Sequence, residues 1–141
     1  MDLNIDGPHG SEYSRQVAQA ASEAVRVLNH ATFPDRAPGL EWPSDVYDVL
    51  GNLSSAAAGM PQLSRQLAAW VANETAAGYV RENASYGPHG GDAQTASRSL
   101  AGHLTEAAAL AARLAEVLSA ARRDTAGLES TRPAPDLEDD Q

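Results

Sequence analysis

The chain has no cysteine and no lysine. The first absence removes any disulfide framework and any thiolate metal site, and it suits a reducing cytoplasm. The second leaves ten arginines facing nineteen acidic residues, for a formal net charge of −9. That balance argues against nucleic acid and anionic membranes as partners, because both attract concentrated positive charge. Large side chains are also scarce, with one Phe, two Trp and four Tyr. No stretch reaches the roughly 18 consecutive apolar residues of a membrane span. Residues 1–10 carry two aspartates and no apolar run, so a secretory signal is not expected.

Alanine is what the chain has in excess, at about a fifth of its 141 residues. With arginine as the sole strong base, this points to the coding bias of a GC-rich, actinobacterial genome. A core of Leu, Val and Ala buries less area per residue than an aromatic one, at about 25 cal/mol per Å². Either the helices approach one another closely, or another chain completes part of the apolar surface.

The apolar residues fall on helical spacing throughout, and no strand pattern survives. From Ser11, expected as an N-cap, Val17, Ala21, Ala24, Leu28 and Ala31 form one stripe to about residue 32. Three prolines and a glycine between Phe33 and Pro43 predict an irregular crossing segment. Ser44 then suits an N-cap, and Val46, Val49, Leu50, Leu53 and Ala57 continue a helix toward Gly59 and Pro61. Pro61 either opens a new helix or kinks a continuous one, and the first reading is preferred. Leu63, Leu67, Trp70 and Val71 carry that helix to about residue 77, where Gly78 stops it. Asp92 is the expected cap of the longest helix, whose seam runs Leu100, Leu104, Ala107, Ala111, Leu114, Leu118, Ala121.

The expected fold is therefore all-α, a four-helix bundle with helices near 11–32, 44–58, 61–77 and 92–123. The alternative is a three-helix bundle whose middle helix kinks at Pro61. The domain plan has a flexible lead-in over 1–10, one helical-bundle domain over 11–128 and a disordered acidic tail over 129–141. Val17, Leu28, Trp42, Leu50, Leu53, Leu67, Trp70, Leu100, Leu104, Leu114 and Leu118 are the expected core.

Val25-Arg26-Val27-Leu28-Asn29-His30-Ala31-Thr32, followed by the run from Gly39-Leu40-Glu41-Trp42-Pro43-Ser44 to Leu53, resembles a segment of small all-helical actinomycete proteins. The resemblance spans roughly residues 12–128, is most specific around Trp42-Pro43, and implies no activity or binding residue. Exported actinobacterial WXG100-like hairpins are similar only in architecture. Trp42 is followed by Pro43 and Ser44 in place of their Trp-x-Gly turn, and Tyr79 by Asn83 in place of their acidic export signal.

Chemistry-bearing patterns are few. Gly-Pro-His-Gly occurs twice, at 7–10 and 87–90, each copy just before a helix start. His9 and His89 are weak metal candidates, because two histidines without carboxylates or a third ligand seldom make a site, whereas Gly-Pro-x-Gly is good turn chemistry. His30 and His103 lack the partners of a catalytic group, and Asp45 and Asp48 read as helix-start acids. No phosphate loop, nucleophile elbow or dinucleotide fingerprint is present.

The function expected from these residues is a non-enzymatic protein–protein interaction module without cofactor, self-associating in one version and located in the cytoplasm. An acidic regulator occupying a basic site on its partner, through Asp136 to Asp140, is the alternative. An enzyme or metal-binding protein using His9 and His89 comes third. The thinly polar back of the long helix, Ala109, Ala112, Arg113, Glu116 and Ala120, is the expected interaction surface.

Overall fold

A computed structural model describes residues 3–7, 9–34 and 39–132. Among them the chain is all-α, with three helices: α1 (Ser11–Ala31), α2 (Pro43–Ala76) and α3 (Ala93–Thr125). The four-helix bundle is thereby overturned, because the segments expected as separate helices at 44–58 and 61–77 are one 34-residue helix with Pro61 inside it. A proline in a helix interior removes one hydrogen bond and crowds the carbonyl four residues back, at about 3 kcal/mol. Here Ala57 and Ser64, one turn to either side, are both buried. Packing against α3 on both flanks of Pro61 outweighs the local break. The expected acidic tail, in its part over 133–141, and residues 1, 2, 8 and 35–38 lie outside the described residues.

The chain divides into two compact units, Met1–Trp42 and Pro43–Gln141. In the first, Gly10 takes the N-cap position in extended backbone and makes no side-chain cap, so Ser11 is the first helical residue and not the cap. Tyr13 ties the preceding segment to this helix. Its hydroxyl accepts from Asn4 N–H at 3.0 Å and donates to the Asn4 carbonyl at 3.4 Å. Leu3 and Ile5 line a shallow hollow with Tyr13 and Val17. No residue of α1 is buried; Val17 and Leu28 are half-buried.

The second unit is an antiparallel hairpin of α2 and α3, each about 50 Å long at 1.5 Å per residue. Its contact seam repeats every three and four residues. On α2 it runs Tyr47, Leu50, Ser54, Ala57, Pro61, Ser64, Ala68, Val71, Thr75, and on α3 Ser97, Ala101, Leu104, Ala108, Ala111, Ala115, Leu118, Arg122, all buried or half-buried. Most of these side chains are small, which lets the backbones come close. The Ser54 hydroxyl crosses the gap and donates to the Ala115 carbonyl at 2.9 Å. At the open end the Arg122 guanidinium stands 4.0 Å from the Tyr47 ring centroid. Its stem passes Gly51, where an added Cβ would meet Nε at 2.9 Å.

The close seam corrects the expected core. Leu67, Trp70 and Leu114 are exposed, and Trp42, standing before the first turn of α2, is 48% exposed. Leu50, Leu53, Leu100, Leu104 and Leu118 are half-buried. The buried positions are Ala57, Ala111, Ser64, Thr75 and Ser97. Small residues win them because a large side chain there would hold the helices apart.

Two substitutions test this packing by thermal or urea unfolding. Ala111→Leu should destabilise by about 1 to 3 kcal/mol through overpacking. Pro61→Ala should raise stability by about 1 to 3 kcal/mol by restoring the missing bond to the Ala57 carbonyl. A lower melting temperature for the second variant would contradict a continuous α2.

Candidate interaction surface

Each seam residue has a neighbour one position earlier, rotated by about 100° around the helix. On α2 these neighbours are Val46, Val49, Leu53, Ala56, Met60, Leu63, Leu67 and Trp70; on α3 they are Leu100, His103, Ala107, Leu110, Leu114, Val117 and Ala121. Because the helices are antiparallel, their pairing has a local two-fold axis perpendicular to both, and offsets of the same sign fall on the same side. The two stripes therefore make one continuous face of the hairpin. From Val46 to Trp70 and from Leu100 to Ala121 it contains no acid, no arginine and, apart from His103, no strongly polar group; at the loop end the next two positions are Glu74 on α2 and Ala96 on α3.

Much of that face is open. Trp70 is 62% and Leu110 64% exposed, and Met60, Leu63, Leu67, Leu114 and Val117 are each about half exposed. The positions one residue after the seam mix polar residues, Asp48, Ser55, Gln62, Arg65, Arg98, Thr105, Glu116 and Arg123, with small ones such as Gly51, Ala58, Ala69, Gly102 and Ala109. Most of the large exposed apolar side chains of the hairpin thus share one side, while Asp48, Arg65, Arg98, Glu116 and Arg123 lie on the other.

The surface expected from the sequence lies away from the apolar face. Ala109, Ala112 and Glu116 belong to the polar side, and Arg113 and Ala120 to the back of α3. Arg113 and Glu116 pair at 3.0 Å with both side chains more than two-thirds exposed. An ion pair so well solvated contributes little, on the order of 0–1 kcal/mol. The apolar face was legible as the breadth of the α3 stripe, yet the stripe alone did not say which part would meet α2.

The closed end of the hairpin is held by its loop. Gly78, at φ +77°, ends α2: its N–H reaches the Thr75 carbonyl at 3.1 Å, and Tyr79 N–H reaches that of Glu74 at 3.0 Å. The second Gly-Pro-His-Gly copy then wraps the Glu82 carboxylate, which accepts from His89 N–H at 3.1 Å and from Gly91 N–H at 2.7 Å. A Cβ on Gly87 would collide with that carboxyl group. This is why glycine opens the tetrapeptide here, and it gives His89 a structural context the sequence did not reveal. The first copy adjoins α1, where the Gly10 carbonyl accepts from Ser14 N–H at 3.0 Å. Among the described residues no three His, Cys, Asp or Glu side chains are grouped to hold a metal ion.

Asp92 caps α3 as its position suggested, accepting from Thr95 N–H at 3.0 Å and from the Thr95 hydroxyl at 2.7 Å. The Thr95 hydroxyl, its backbone N–H and the charge of Arg98 hold the Asp92 carboxyl below the usual aspartate value. Beside the loop, a pocket of about 290 Å³ opens between Val71, Thr75, Val80, Ala96 and Leu100, with the charged Arg81 and Glu82 also in its wall.

No protein-family model, curated protein or solved structure matches the chain. No helix among the described residues is long and apolar enough to cross a membrane. Among the described residues, α2 and α3 form a helical hairpin with one largely apolar, half-exposed side.

Two measurements follow from the loop and the cap. Glu82→Ala leaves two backbone donors without their charged acceptor and should lower stability by about 1 to 3 kcal/mol. Hydrogen exchange at His89 and Gly91 should accelerate in that variant. Asp92 has a lowered folded-state pKa, so its contribution is present above the unfolded value and is lost as pH falls through the folded one. Melting temperature should therefore drop more steeply in acid for the native chain than for Asp92→Asn, and identical acid slopes would contradict the cap.

Proposed function

We propose that this protein is a non-enzymatic interaction module that binds another protein through the apolar face of the α2–α3 hairpin. The observation that carries the reading is the continuous run of half-exposed Met60, Leu63, Leu67, Trp70, Leu110, Leu114 and Val117 on one side of a rigid pair. Their exposed area is on the order of 700 Å², above the roughly 300–600 Å² of the largest patch on an ordinary monomer. The absence of charge from Val46 to Trp70 and from Leu100 to Ala121 along the stripes favours a partner that offers an apolar surface of its own, such as an amphipathic helix. Its setting in this reading is the cytoplasm, which the cysteine-free composition supports. Kinship with small actinomycete helical proteins, through residues 25–32 and 39–53, belongs to the same proposal and supplies no activity.

A photo-crosslinking residue at Leu110 should give protein adducts in cells, and the same group at neighbouring Ala109, on the polar side, should not. Equal yields at the two sites, or none at Leu110, would remove the proposed face.

A further inference from the structure

We propose that the occupant of this face is a second copy of the chain, two α2–α3 hairpins closing into a four-helix bundle. The inference rests on the protein-binding reading and names its partner. Three properties of the hairpin support it.

The first is period. Both exposed stripes keep alternating steps of three and four residues over most of the helix length, from Val46 to Trp70 and from Leu100 to Ala121. This is the pattern that lets side chains of one helix seat between those of another along a long near-parallel contact. A face meant for one short peptide needs only a few anchors.

The second is symmetry. A face generated by an antiparallel pair has a two-fold axis running out through its centre. An isologous contact uses a second two-fold axis, lying in the plane of the face, by which each copy presents the same patch to the other; the near-equivalence of the two stripes lets either helix of one copy meet either helix of its partner. No complementary surface has to be supplied by a different protein.

The third is area. An exposed face on the order of 700 Å² is close to the roughly 800 Å² that each partner contributes to a stable interface of ordinary size. Both copies carry net negative charge, and Asp48, Arg65, Arg98, Glu116 and Arg123 lie on the side away from the stripes. Over residues 46–70 and 100–121 the stripes contain neither acid nor arginine, so contact along those spans buries no unpaired charge, and Glu74 stands at the loop end of the α2 stripe. Trp70, the most exposed of the two tryptophans, lies within the patch and reports on its burial.

Sedimentation equilibrium of the full chain, from low micromolar to sub-millimolar, should give a species of twice the 14.8 kDa chain mass. Leu67→Glu and Leu114→Glu should each lower the association constant at least a hundredfold while leaving the helical circular dichroism unchanged. Arg65→Glu, one residue after the seam on the polar side, should leave association unaltered. Dilution should shift Trp emission to the red in the native chain and leave the two monomerising variants constant. A monomer across the whole range, or a dimer indifferent to both glutamate substitutions, overturns the inference. The crosslinking at Leu110 separates the two readings: adducts to a different protein from a monomeric chain would preserve the binding face and discard the second copy, whereas no adduct at all would discard both.

Discussion

The close approach of α2 and α3 is the constraint from which the rest of the hairpin follows. A serine hydroxyl at Ser54 can bond the Ala115 carbonyl only if the two backbones nearly touch. That distance in turn admits only Ala, Ser and Thr at the most deeply buried positions, Ala57, Ser64, Thr75, Ser97 and Ala111. Small side chains contribute little area each, at about 25 cal/mol per Å². The pair compensates by length, repeating the contact along two helices of more than thirty residues. Continuity of α2 through Pro61 belongs to the same constraint, since breaking the helix there would halve the seam.

Filling the seam with small residues displaces the large ones. Leu63, Leu67, Trp70, Leu110, Leu114 and Val117 would ordinarily fill a domain core, and here they stand on one outer face because the inner one has no room for them. The proposed binding face is therefore a consequence of the tight seam, which leaves these side chains nowhere else to go. The loop contributes by rigidity. Glu82 gathers the N–H groups of His89 and Gly91, so the tetrapeptide that looked like possible metal chemistry works as a clasp fixing the turn between the helices.

How much of this was legible in the sequence differs from element to element. Helix spans were readable within a residue or two at most ends, because Gly78 and Asp92 act through local backbone chemistry. Pro61 misled because its cost is local and its compensation lies on another helix. The core was misassigned for a related reason. Leu100, Leu104, Ala107, Ala111, Leu114 and Leu118 share one broad apolar side of α3, and hydrophobicity ranks leucine above alanine wherever both are offered. Close packing reverses that order, and nothing in the spacing announces how near a neighbour will come. The clasp at Glu82 was invisible for want of any pattern linking a carboxylate to backbone groups seven and nine residues further on.

By itself, the sequence determined that this protein is helical, acidic and without a membrane-crossing helix among its described residues, and that α3 carries one apolar side. Those properties follow from composition and short-range periodicity, which act through a few residues at a time. Only the tertiary structure decided that α2 runs unbroken, that alanines and serines form the inner seam, and that the leucines and Trp70 face outward. Those outcomes depend on the distance between two helices far apart in the chain.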